Sequence, residues 1–156
     1  MRVNAGEVLH IFNGSGNLYQ GTLAAITKKS AQVAVTTLIK SEPQPLAELH
    51  IAIAPTKNID RVEWFLEKAV EIGIHSITPI ICRRSERKEL RIDRLEKVML
   101  SAAKQSLHLY LPTINPVIKL EDFLKKNFSG NKFIAYCEEH TVELKNSFIP
   151  GESITV

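Results

Sequence analysis

The chain has few of the residues that would staple it covalently or hold it in a bilayer. Its 156 residues include two cysteines, one tryptophan and two methionines. Cys82 and Cys137 sit in apolar, strand-like surroundings, where a thiol behaves as a small hydrophobe in a reducing compartment, so no disulfide is expected. No apolar run approaches the roughly 18 residues that a membrane span needs, and the N-terminus lacks the basic-then-apolar layout of a signal peptide. The expected location is therefore the cytoplasm, away from any membrane. Glycine-rich phosphate loops are missing too. No Gly-x-Gly-x-x-Gly and no Walker sequence follows an expected strand, and Gly14, Gly16 and Gly21 lie where β turns need them. Without a Gly-x-Ser-x-Gly elbow, a serine hydrolase has no nucleophile to name. The five histidines are scattered. Cys137 stands three residues before His140, but a single Cys-x-x-His pair does not make a metal site, and none is expected.

What is present reads as an ordinary globular protein, at 44% hydrophobic and 24% charged residues. The formal net charge of +3 is too mild by itself to argue for nucleic acid. Its placement says more. The window RRSERKELRIDRLEK, from Arg83 to Lys97, holds seven Lys or Arg against four Asp or Glu and so carries the whole excess. A local basic patch on a neutral body is the footprint of a phosphate-binding face; a solvated charged loop leading into a helix is the alternative.

Two rhythms divide the chain. Residues 1–40 read as β structure: EVLHIF, a tight turn at Asn13-Gly14, LYQGTLAAIT, and AQVAVTTLIK. Three strands make a small open sheet with unpaired edges. SEPQPLAE, residues 41–48, has two prolines and two acids and reads as a linker. Residues 49–156 then alternate: LHIAIAP a strand, Asp60 to Gly73 a helix, SITPIIC a strand, Ile92 to about Tyr110 a helix, KLEDFLKKN a short helix, KFIAYC and ESITV strands. Alternation of this kind implies right-handed crossovers and a mostly parallel α/β sheet covered on both faces.

Helix signals support the layout. Asp60 and Glu63 stand at capping-box spacing, and Gly73 is placed to end the first helix in a left-handed conformation. Val62, Phe65, Leu66, Ala69 and Val70 form its apolar stripe. Trp64 points away from that stripe, among Arg61, Lys68 and Glu71 at the i−3, i+4 and i+7 spacings. An indole among charges is suited to pack on a partner surface with its N–H bonded. Trp64, Lys68 and Glu71 are thus interface candidates. In the second helix, Ile92, Leu95, Met99, Ala102, Ala103 and Ser106 form the expected buried side.

Open parallel α/β sheets bind ligands at the carboxyl ends of their strands. That end receives APTKNIDR, CRRSERK and CEEH, each following a strand. Lys57, Arg61, Arg84, Ser85, Arg87, Gln105, Ser106 and His108 are the candidates for holding phosphates or a polar base edge, or for shaping a pocket, which is the chemistry RNA recognition uses. For any one of them alone a surface ion pair or a helix cap is the commoner explanation.

The stretch KNIDRVEWFLEKAVEIGIHSITPIICRRS, followed by RLEKVMLSAAKQS, resembles the RsmE family, the 16S ribosomal RNA uracil-N3 methyltransferases of the SPOUT superfamily. The matched positions are Lys57, Asp60, Arg61, Glu63, Trp64, Lys68, Ala69, Glu71, Gly73, Pro79, Arg84, Ser85, Ala103, Gln105 and Ser106. Residues 1–40 are similar to the later part of that family's N-terminal PUA-like RNA-binding barrel. The resemblance implies a Rossmann-like α/β knot preceded by a PUA-like barrel. It also implies S-adenosylmethionine as methyl donor, small-subunit ribosomal RNA as substrate, and a homodimer. It casts the chain as a fragment lacking the first barrel strands, the Gly-Pro-Glu-Gly-type loop and the knot. No donor-binding residue is then expected within it, and neither tight donor binding nor RNA methylation by the fragment alone. Two departures stand out: Arg83 occupies a position where an acid is common, and Leu107-His108 replaces a Gly-Arg pair, which puts a cation at position 108 in doubt at neutral pH. Two rival readings remain, a non-catalytic RNA-binding module and a structural α/β domain with a dimer surface.

Overall fold

A computed structural model of the protein describes residues 3–43, 45, 47–136 and 142–156. The chain divides into two compact units. The first comprises residues 1–44 with Leu107–Tyr110, and the second Pro45–Ser106 with Leu111–Val156.

In the first unit, β1 (Val8–Phe12), β2 (Asn17–Ile26) and β3 (Ala31–Ser41) form an antiparallel sheet in that order. The β1–β2 turn is built around Asn13, whose Oδ1 accepts from the amides of Ser15 at 2.9 Å and Asn17 at 3.3 Å. Gly16 has φ +93° and lies against the Tyr110 ring, where an added Cβ would stand 2.5 Å from ring atoms. Its amide donates to the Leu109 carbonyl at 3.0 Å, and Tyr110 Oη donates to the Glu42 carbonyl at 2.9 Å. The segment after the second helix is thereby tied into this unit.

In the second unit, β4 (Leu49–Ile53), α1 (Ile59–Ile72), β5 (Ser76–Ile81) and α2 (Ile92–Ser106) follow in turn. After them come β6 (Thr113–Ile114), β7 (Ile118–Lys119), α3 (Leu120–Leu124), β8 (Asn131–Lys132), α4 (Leu144–Ser147) and β9 (Ile154–Thr155). The sheet order is β6-β5-β4-β9-β8, with β7 also pairing β5, and every described pairing is parallel. Strand order reverses between β4 and β9, and the crevice at such a reversal is where open α/β sheets take ligands. The core gathers the apolar stripes of α1 and α2, which pack against each other, and the buried residues of β5: Val62, Leu66, Ala69 and Val70 from α1, Leu95, Met99, Ala102 and Ala103 from α2, and Ile77 and Ile80 from the strand.

Three expectations need correction. The first helix begins one residue earlier than expected, and its cap is Asn58, whose Oδ1 accepts from the Asp60 amide at 3.0 Å. Asp60 and Glu63 therefore form no capping box, and Glu63 pairs elsewhere. The second helix stops at Ser106 rather than near Tyr110, because Leu107 turns to φ +57°. An L-residue in the left-handed region ends an α-helix. KFIAYC forms only the start of the expected strand: Lys132 pairs with Thr155 of β9 and the Phe133 amide donates to the Thr155 carbonyl at 2.8 Å, while Ile134 and Tyr136 are exposed. Cys137 lies outside the described residues. Gly73 ends α1 as expected, with φ 87° and its amide bonded to Ala69 and Val70 carbonyls.

Candidate nucleic-acid interface

The loops after β4 and β5 leave the carboxyl edge of the sheet side by side. The first is short and self-ordered, with Thr56 Oγ1 donating to the Asn58 carbonyl at 2.7 Å and Asn58 capping α1. The second, Cys82 to Arg91, begins with a closed turn. The Ser85 hydroxyl accepts from the Cys82 amide at 2.9 Å, and the Ser85 amide returns to the Cys82 carbonyl at 3.0 Å. The turn leaves Arg83 and Arg84 exposed at its apex. Ser85 thus shapes the loop, and its hydroxyl is already engaged.

Two contacts tie the loops together. Arg87 Nη2 donates to the Lys57 carbonyl at 2.9 Å, and Lys57 Nζ stands 3.1 Å from Glu86 Oε2. A third ties the helices behind them. Arg94 of α2 reaches Glu63 of α1, with Nη2 donating to Oε2 at 3.0 Å, while Nε makes a 2.5 Å ion contact with Oε1 that is not an aligned hydrogen bond. Sequence reasoning missed this pair because the partners are 31 positions apart.

Two grooves flank the second loop. One, of about 330 Å³, has an apolar floor of Ile59, Leu90 and Leu95 beside Arg87, Arg91, Arg94 and Glu89. The other, of about 520 Å³, is lined by Lys57, Glu86, Arg87, Lys88 and Glu89. Of the candidates, Lys57 and Arg87 are brought together here, with Arg84 and Ser85 on the same loop. Arg61 is exposed in the first turn of α1 and Gln105 in the last turn of α2, and neither lines these grooves. Ser106 turns its hydroxyl back to the Ala102 carbonyl at 2.8 Å. His108 belongs to the first unit. Glu138 to His140 of CEEH lie outside the described residues.

On α1, Trp64 is 63% exposed and Ile72 76%, on the face opposite the core. Lys68 between them pairs with Glu71 at 2.8 Å. At the amino edge of the sheet, His50 is buried against Phe123 and Phe128. Its Nε2 lies 2.7 Å from Thr78 Oγ1, which also accepts from Asn115 Nδ2 at 2.9 Å. Burial, then the positive potential of His75 and Lys126, holds its pKa below the ordinary 6.5. Among the described residues no cluster of three or more His, Cys, Asp or Glu is placed to hold a metal, and no helix is long and apolar enough to cross a membrane.

A parallel α/β unit with a cationic loop at its carboxyl edge, preceded by a small antiparallel sheet, is the layout that the comparisons match to RNA methyltransferase domains. The pattern of the family described as an RNA methyltransferase domain matches residues 42–155, and that of the RNA methyltransferase PUA domain matches residues 1–36. The chain is 30% identical to ribosomal RNA small subunit methyltransferase E of Rickettsia conorii over 149 residues, covering 96% of this chain and 59% of the relative. A probable rRNA-methyltransferase from Porphyromonas gingivalis superposes with a TM-score of 0.79 at 27% identity, covering 99% of this chain and 67% of that one. Ribosomal RNA small subunit methyltransferase E of Neisseria gonorrhoeae, solved bound to S-adenosyl methionine, has the same fold, with a TM-score of 0.77 at 21% identity, covering 99% and 66%. The chain belongs to the RsmE family of SPOUT RNA methyltransferases. It spans 59% of the length of the Rickettsia relative, and the same share of ribosomal RNA small subunit methyltransferase E of Buchnera aphidicola, to which it is 24% identical.

The smaller groove is lined by three arginines and Glu89, with Arg91 paired to Asp93 and Arg94 to Glu63, and so offers no surplus negative charge to a sulfonium cation such as that of S-adenosylmethionine. No transfer step is routed through these grooves.

Proposed function

We propose that the protein takes part in methylating uracil N3 in small-subunit ribosomal RNA with S-adenosylmethionine as donor, and that the loops at the carboxyl edge of its parallel sheet grip the RNA. The observation that carries the reading is the placement of the basic loop Cys82–Arg91 at the carboxyl edge of a sheet whose sequence matches an RNA methyltransferase domain. In this reading Arg83, Arg84, Lys88 and Arg91 contact phosphates and Lys57 borders the groove. Arg61, Gln105 and Ser106 shape the approach, and the first unit adds RNA contacts, His108 among them. Methyl transfer at N3 needs the base held in line and its proton removed, so positioning is the larger part of what the chain contributes. The exposed Trp64, with Lys68 and Glu71, is proposed as a homodimer contact.

The experiment is to delete the gene and map modified uridines in small-subunit RNA by mass spectrometry. Loss of one N3-methyl mark, restored by the gene, supports the reading, and an unchanged map refutes it. A non-catalytic RNA binder would leave the map intact while still binding RNA with a steep salt dependence.

A further inference from the structure

Arg87 stands apart from the other basic residues of its loop. Arg83, Arg84, Lys88 and Arg91 are exposed, whereas Arg87 is half-buried. Its guanidinium is committed inward, with Nη2 donating to the Lys57 carbonyl and Nε buried without a partner among the described residues. It also lines both grooves, as does Glu89. The Lys57 carbonyl lies at the middle of the loop that Thr56 and Asn58 order from within, between β4 and the cap of α1. The planar fork of Arg87 therefore crosses from the second strand-end loop to the first, and the Lys57–Glu86 ion pair crosses beside it in the other direction.

We infer that Arg87 is a positioning residue, holding the Lys57 loop and the arginine-rich loop in one fixed arrangement, and that phosphate contact falls to its exposed neighbours. The inference rests on the RNA-binding reading above for its consequence, but not for its geometry. A lysine at this position keeps the charge and loses the rigid fork, so charge and positioning are separable. They are separable in salt as well. Each phosphate neutralised on a single strand adds about 0.7 to the slope of log K against log salt, whereas a positioning residue changes affinity at all salt concentrations with little change in slope.

The test uses the whole chain, as wild type, Arg87→Ala, Arg87→Lys and Arg84→Ala, with a short single-stranded RNA of mixed sequence as probe. Two quantities are read: amide exchange across Thr56–Asp60, and the salt slope of RNA binding. Arg87→Ala and Arg87→Lys are expected to speed exchange in that segment by about tenfold or more and to weaken binding at every salt concentration with the wild-type slope. Arg84→Ala is expected to leave exchange unchanged and to lower the slope by about 0.7. Unchanged exchange in Arg87→Ala overturns the inference, as does a slope lowered as in Arg84→Ala, or full rescue by lysine. Should Arg87→Ala fail to fold, Arg87→Lys gives the same two readings. Absence of salt-dependent RNA binding by the wild type would remove the RNA-binding reading, while the exchange result would still decide the role of Arg87.

Discussion

Among the described residues, the pair between Glu63 and Arg94 is the ion pair of the second unit with the most shielded carboxylate, and it is expected to matter for stability as well as for the site. Its two contacts, 2.5 and 3.0 Å, hold a carboxylate whose side chain is 17% exposed by an arginine that is 53% exposed. Two unit charges about 4 Å apart attract by about 4 kcal/mol at an effective dielectric of about 20. Desolvation of the glutamate and the rotamer entropy of the arginine offset part of this, and exposure of the arginine reduces it further toward the small values of surface pairs. A net coupling of about 1–2 kcal/mol remains, between the surface range and the roughly 3–5 kcal/mol cost of breaking a buried pair. A double-mutant cycle with Glu63→Ala, Arg94→Ala and the double variant, followed by urea unfolding, measures it directly. Salt near 1 M should reduce the coupling only in part, since the glutamate is shielded from solvent. A coupling below about 0.3 kcal/mol would refute the argument that this contact locks α1 to α2.

Three further outcomes are expected. Leu66 is 1% exposed in the core, so Leu66→Ala should destabilise the protein by about 2–5 kcal/mol in urea titration, and a loss under about 1 kcal/mol would contradict the packing. Trp64→Ala should barely change stability but weaken self-association by about 2 kcal/mol in sedimentation experiments if the indole anchors a dimer; an unchanged association constant excludes that role. His50 favours its neutral form in the folded state, so the unfolded chain takes up the proton first as pH falls. The stability His50 contributes is complete above its unfolded value of 6.5 and is lost as pH drops from there through the lowered folded value. His50→Gln should flatten the pH dependence of unfolding in that window, and an identical profile would show that the ring is not the titrating group.

Much of the fold was legible because it is written in local pattern. The α1 stripe Val62, Leu66, Ala69 and Val70 buries as its spacing requires, and Gly73 ends the helix where a left-handed residue is needed. The alternation after Leu49 became a parallel sheet. Local signals failed where a distant group competed or the backbone turned early. Glu63 was drawn from a capping role to Arg94, the end of α2 was set by Leu107 entering the left-handed region, and the strand expected across KFIAYC shrank to its first residues, bonded to β9.

The sequence by itself determined which residues are cationic, that they cluster between Arg83 and Lys97, and that they follow a strand, because composition and periodicity are properties of neighbours along the chain. Only the tertiary structure decided what each cation does. It committed Arg87 to the Lys57 carbonyl, Arg94 to Glu63 and Arg91 to Asp93, and left Arg83, Arg84 and Lys88 exposed. The reason is physical: a charged side chain is free or engaged according to which groups the fold brings within about 3 Å of it, and separation along the chain does not record that distance.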